Sequence, residues 1–215
     1  MAKAANESAT RRQILRAALK HFAHNGYAAT SVQQIVDTAR VSKPALYYHF
    51  QDKAALFGAL VHDAHDERYR VLRGAVVEGD PLAVQLEKIL MALFDCFRAN
   101  RALMRIAFST MFAAPGELPE KLRFLDRCER NFEFVLDLFK RAQKQGELDR
   151  AFDSEEMAFA FYGMANFYLK GHLVSPDWSL DRSMARRIVK LFLAGAGPKD
   201  SGRKLNQESK AKKRR

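Results

Sequence analysis

Cysteine is scarce in this sequence, with only Cys96 and Cys128 present. Their wide separation in helical surroundings matches neither a metal-ligand spacing nor a disulfide framework. They read as reduced, buried small hydrophobes of a cytosolic protein. No apolar run reaches the ~18 residues of a membrane-spanning helix. The first residues, MAKAANESATRRQ, lack the apolar stretch of a secretory leader, so a cytoplasmic protein without membrane attachment is expected. Strand-type alternation between turn residues is missing too, which leaves an all-α chain. No nucleophile and base lie in a recognisable set, so neither an enzyme nor a cofactor is expected.

Acidic excess is also absent. The net charge is +11 over 215 residues, and it is unevenly placed. Residues 1–60 hold eight Lys/Arg against three Asp/Glu, residues 61–197 hold twenty of each, and residues 198–215 hold eight against two. A neutral body with basic ends points to a polyanion partner at the N-terminal end.

Helical periodicity runs through the body. Ile14, Leu15, Ala18, Leu19, Phe22 and Ala23 form an apolar stripe over residues 10–25, and Gly26 is placed to stop it. Thr30 followed by Gln33 reads as a capping box for a short helix over 31–38. Ser42 is the next N-cap, with Pro44 in the first turn of a helix running to about residue 50. Asp52 caps a fourth helix. Asp80 and Pro81 should start the fifth. Further helices are expected over 101–112, 119–145, 154–173 and to about residue 194, making about nine. The tail 198–215 has almost no apolar residue and reads as disordered.

A short helix, a tight turn and a second short helix suit a helix-turn-helix. Val32, Ile35, Val36, Val41, Leu46 and Phe50 supply its inward positions. Lys43, Pro44, Ala45, Tyr47, Tyr48 and His49 are left for the other faces. Tyr hydroxyls, imidazole N–H and Lys ammonium groups donate to phosphate oxygens, and rings pack against sugars and thymine methyls. Double-stranded DNA is therefore the expected partner. A membrane-surface binder would need bulky apolar residues left exposed on a basic helix. The stripe beside Arg11, Arg12, Arg16 and Lys20 is instead needed for the three-helix core.

The stretch TRRQILRAALKHFAHNGYAATSVQQIVDTARVSKPALYYHFQDKAAL resembles the DNA-binding segment of the TetR family of transcriptional regulators. The likeness implies a homodimer that represses transcription from a palindromic operator and is released by a small ligand. It assigns DNA contacts to Ser31 and Gln33, to Lys43, Tyr47 and His49, and to Lys53 at the start of the fourth helix. The family often has Gly where Arg40 stands. A left-handed turn there would cost Arg40 roughly 1 kcal/mol. The implied organisation is a helix-turn-helix domain over 1–55, a helical ligand-binding and dimerisation domain over 56–197, and the tail.

Within the body, MAFAFYGMANFYLKGHL (157–173) is apolar nearly all round and must be covered on both sides. Ala158, Phe161, Tyr162, Ala165 and Leu169, with Phe192 of the last helix, are the candidate dimer interface. Phe94, Phe97, Phe108, Met111 and Phe112 are candidates to hold a small apolar or aromatic ligand, although core packing explains the same residues. His62 and His65 in HDAHDE lack further committed ligands, so no metal is expected. An activator, or a regulator controlled by a protein partner, would show the same reader without a ligand.

Overall fold

The computed structural model describes residues 2–111, 113, 117–119, 122, 125–175 and 177–196. Among them the helices are α1 (Ala2–Ala29), α2 (Val32–Ala39), α3 (Lys43–His49), α4 (Lys53–Ala75), α5 (Leu82–Ala99), α6 (Arg101–Met111), α7 (Leu125–Lys144), α8 (Ser154–Val174) and α9 (Arg182–Ala196). The basic tail and Phe112 fall outside the described residues, as do the side chains of Met111 and Cys128.

Two apolar cores organise these helices. The first joins Ile14, Ala18 and Phe22 of α1 to Ile35 and Val36 of α2, Leu46 of α3, and Leu56, Phe57, Leu60 and Val61 of α4. The expected boundary at residue 55 thus cuts through this core. The reason is geometric: α2 and α3 have only eight and seven residues, so the first two turns of α4 are needed to close the bundle. The second core centres on Leu86, Ile89, Phe94 and Phe97 of α5 and on a ring cluster from α7, α8 and α9. There Phe139, Phe161 and Phe192 meet with centroids 5.4 to 5.7 Å apart. Each such pair adds about 0.5–1.5 kcal/mol beyond its burial.

Two helices belong to both cores. α4 passes from Val61 in the first to Ala64 and Leu72 in the second. α6 places Met104 and Phe108, one turn apart, in the second core and turns Ile106 into the first. Helix periodicity puts residue 106 on the side opposite 104 and 108.

Several ends differ from expectation. Ser31, not Thr30, caps α2: its hydroxyl accepts from Gln34 N at 3.2 Å, and Gln34 Oε1 accepts from Ser31 N at 2.8 Å. Thr30 is buried and donates its hydroxyl to Gly26 O at 2.7 Å. Gly26 (φ 79°, ψ 174°) interrupts α1, a conformation open to glycine alone without strain. Asp80 does not cap α5, because it is held by Lys88 at 2.6 Å. The carboxylate of Glu147, distant in sequence, accepts from Leu82 N at 2.6 Å instead. Cys96 is buried, and burial with Glu67 nearby pushes its thiol pKa upward, which keeps it protonated and unreactive.

The α8 face expected to meet a second subunit lies inside the chain. Ala158, Phe161, Ala165 and Leu169 are buried in the second core, as is Phe192 of α9, and Tyr162 is half-buried. A helix apolar all round gives no periodic signal for which side faces home, and here α7 and α9 take that one. The exposed side carries Phe159 and Phe167 instead, 71% and 70% exposed. Ala165→Asp should therefore destabilise the protomer itself, by at least about 3 kcal/mol in urea unfolding, since it buries an unpaired charge. A stable, folded variant would contradict that placement.

Candidate nucleic-acid interface and cavities of the body

α2 ends on Arg40, whose left-handed backbone (φ 52°, ψ 45°) is the only positive φ outside glycine among the described residues. Arg40 N donates to Asp37 O at 3.2 Å, and Val41 N donates to Val36 O at 3.1 Å. This paired pattern closes a helix and turns the chain sharply, usually around glycine. The cost to a side chain is about 1 kcal/mol, the cost expected if the glycine common at this position of the resembled family marks a left-handed turn. Ser42 then accepts from Ala45 N at 3.2 Å and starts α3, with Pro44 in the first turn.

Leu46 anchors α3, fully buried. The ring of Phe50 closes the end under the Arg11 guanidinium, 5.2 Å from its centroid. With that side fixed, Lys43 and Pro44 are exposed, Tyr47 and Tyr48 are 49% and 71% exposed, and Ala45 and His49 are half-buried. Lys43 and Tyr47 are one turn apart, as are Pro44 and Tyr48, so two adjacent rows face outward. His49 meets the Tyr48 ring edge-on at 5.1 Å. At seven residues α3 is about 10 Å long, within the width of a B-DNA major groove. Ser31 and Gln33 are exposed at the start of α2, where Gln33 also donates to Asp37 at 2.7 Å. Rings this exposed leave much apolar surface in water, and a groove lined by sugar, methyl and phosphate would cover both ring and hydroxyl.

Lys53 departs from its expected place. Its ammonium donates to Tyr27 O at 3.0 Å and Thr30 O at 2.9 Å, and lies 4.3 Å from the Tyr27 ring centroid. It pins the start of α4 to the end of α1 rather than reaching outward. A cation at the carbonyl end of a helix is favoured by the helix dipole, and the charge is satisfied there. The sequence shows a lysine at a helix start, not which neighbouring end lies across from it.

In the body, Phe94 and Phe97 are buried in the second core, and Phe108 lines a cavity. That void, about 20 Å3, lies between α4, α6 and α8. It is walled by Ala64, His65, Arg68, Met104, Phe108 and Tyr162. A larger cleft of about 730 Å3 opens elsewhere, where Arg73, Asp80, Gln85, Arg141 and Glu147 give it polar walls. Sequence periodicity passed over Arg68 because a basic residue on a long helix normally faces water.

Residues 14–60 match the family described as bacterial regulatory proteins, tetR family. The chain is 29% identical over 181 residues to the HTH-type transcriptional regulator TtgR of Pseudomonas putida, covering 78% of this chain and 82% of that protein. It is 29% identical over 197 residues to the Escherichia coli protein named "Probable acrEF/envCD operon repressor", covering 86% and 87%. Among solved structures, the SmeT–triclosan complex shares the fold with a TM-score of 0.70 and 23% identity, over 90% of this chain and 93% of that one.

Lys43→Ala should weaken binding to all DNA sequences alike and flatten the salt dependence by about one unit of slope, read from anisotropy titrations at several salt concentrations. Lys53→Ala should leave that slope unchanged and lower the unfolding midpoint instead. A lowered slope in Lys53→Ala would return that residue to the DNA surface.

Proposed function

We propose that this chain, which belongs to the TetR family of bacterial regulatory proteins and is a DNA-binding transcriptional regulator, acts as a homodimeric repressor released from a palindromic operator by a small ligand. One observation carries the reading: α4 and α6 each supply side chains to the core of the reader and to the core of the body. A ligand that moves either helix must move the reader with it. The coupling required is modest, since about 1–3 kcal/mol weakens DNA binding roughly 5- to 150-fold.

Dimerisation is supported by what the protomer leaves uncovered. Phe159, Phe167 and Val174 of α8 and Leu191 of α9 are largely exposed, and Gly163 between the two phenylalanines is exposed as well. Residues 159, 163 and 167 follow one another at helical spacing with a glycine in the middle, a face that lets a second helix approach closely. Burying four such side chains contributes about 1.5–3 kcal/mol each. Two readers held at a fixed spacing then match two half-sites about one turn of DNA apart, or a multiple of it.

Repression fits the operon-repressor name carried by the E. coli relative, and ligand control fits the small molecule in the SmeT complex. The protein's DNA site can be enriched from a random library, and the enriched sequence should be an inverted repeat. The double variant Phe159→Glu, Phe167→Glu should sediment as a folded monomer at micromolar concentration and lose most affinity for that repeat. A dimer surviving both charges would place the interface elsewhere.

A further inference from the structure

The cavity between α4, α6 and α8 holds a charge that no acid among the described residues pairs. Arg68 is 8% exposed, and its Nε and Nη2 have no hydrogen-bond partner. Among the described residues no carboxylate pairs with it. Nearby acids are engaged elsewhere: Glu67 with Arg70 at 2.6 Å and Asp66 with Arg130 at 2.7 Å. The guanidinium lies 4.8 Å from the Tyr162 ring centroid, a contact that leaves the N–H groups of Nε and Nη2 unsatisfied. A buried, unpaired charge is strongly destabilising, and the Tyr162 ring offsets only part of that cost.

Nε–H and Nη2–H point in parallel from one edge of the guanidinium. That edge takes a planar carboxylate through two parallel hydrogen bonds. Most of the other walls are apolar, with Ala64, Met104, Ala107 and Phe108, and His65 and Tyr162 complete the lining. We propose that Arg68 is the recognition residue for the effector that releases the repressor, and that this effector is a monocarboxylate with an apolar body. The assignment rests on that reading of ligand control and gives it a chemical class. It alters the expectation of a purely apolar or aromatic ligand by adding an acid group.

The size of the void decides what enters first. About 20 Å3 admits one water-sized group, enough for a head group and not for a tail. A tail seated against Met104 and Phe108 parts α6 from α4. Ile106 on the same helix then draws away from the reader core. The acid finds its place through Arg68, and its body does the displacing.

The test uses the full chain and three acids, each against its own neutral amide: acetate with acetamide, hexanoate with hexanamide, benzoate with benzamide. Calorimetry should show at least one acid binding wild type tenfold or more tighter than its amide. In Arg68→Met that preference should vanish. The ligand-free variant should melt at the same temperature as wild type or higher, because an unpaired charge is gone while the packing stem remains. Three results overturn the assignment: no acid preferred over its amide, a preference that survives in Arg68→Met, or a ligand-free variant that melts clearly lower. The last would make Arg68 a structural partner of Tyr162. DNA affinity read in parallel separates the two claims. An amide that weakens DNA binding as well as its acid leaves ligand control standing and removes the anion. An acid that binds through Arg68 and leaves DNA affinity unchanged keeps the site and removes the control.

Discussion

The structure depends on two helices that cannot choose between cores. α4 is 23 residues long, about 35 Å, and its first two turns close a bundle whose α2 and α3 are too short to close it alone. Its later turns, at Ala64 and Leu72, lie in the other core. α6 repeats the arrangement across its width rather than along its length, sending Ile106 one way and Met104 and Phe108 the other. Packed interiors do not deform smoothly, so a helix shared in this way carries a displacement rather than absorbing it. The reader is short of its own core, and that shortage ties it to the body.

Charge is divided by the same architecture. The first 60 residues carry the excess that draws a polyanion, while the next stretch is balanced, with twenty basic and twenty acidic residues over 61–197. Inside that balance Arg68 stands out among the described residues, buried at the junction of α4 with α6 and α8. In the proposed reading, DNA would be met by flexible, hydrated cations on the surface. A small acid would be met by a single cation already stripped of water beside the Tyr162 ring. The two kinds of anion would thus be told apart by solvation and shape.

The reader was largely legible in the sequence, because its signals are local. Caps, a proline in a first turn and apolar spacing placed α2, α3 and the exposed Tyr47 and Tyr48, and the Arg40 turn was flagged by the family resemblance, in which glycine often stands at that position. The capping box slipped by one, since Thr30 and Ser31 are both competent caps and only the fold decides that Thr30 turns back to Gly26. What failed was long-range. Lys53 faces the end of α1, Glu147 caps a helix 65 residues earlier, and α8 buries the side expected to be free. Each depends on which element lies opposite, and an all-apolar helix or a lone charge carries no record of its neighbour. Arg68 belongs to the same group: its burial follows from three helices meeting, not from its place in DERYR.

Ile106 offers the most direct trial of the shared-helix account, because it belongs to α6 by sequence and to the reader by packing. Truncating a buried isoleucine to alanine costs about 2–5 kcal/mol at the site that loses it. Native-state amide hydrogen exchange on Ile106→Ala should therefore show faster opening in α1, α2 and the first turns of α4, by on the order of 30-fold or more. Acceleration confined to α6 and its neighbours in the body, with α1 and α2 exchanging as in wild type, would contradict the account and leave reader and body as separate units.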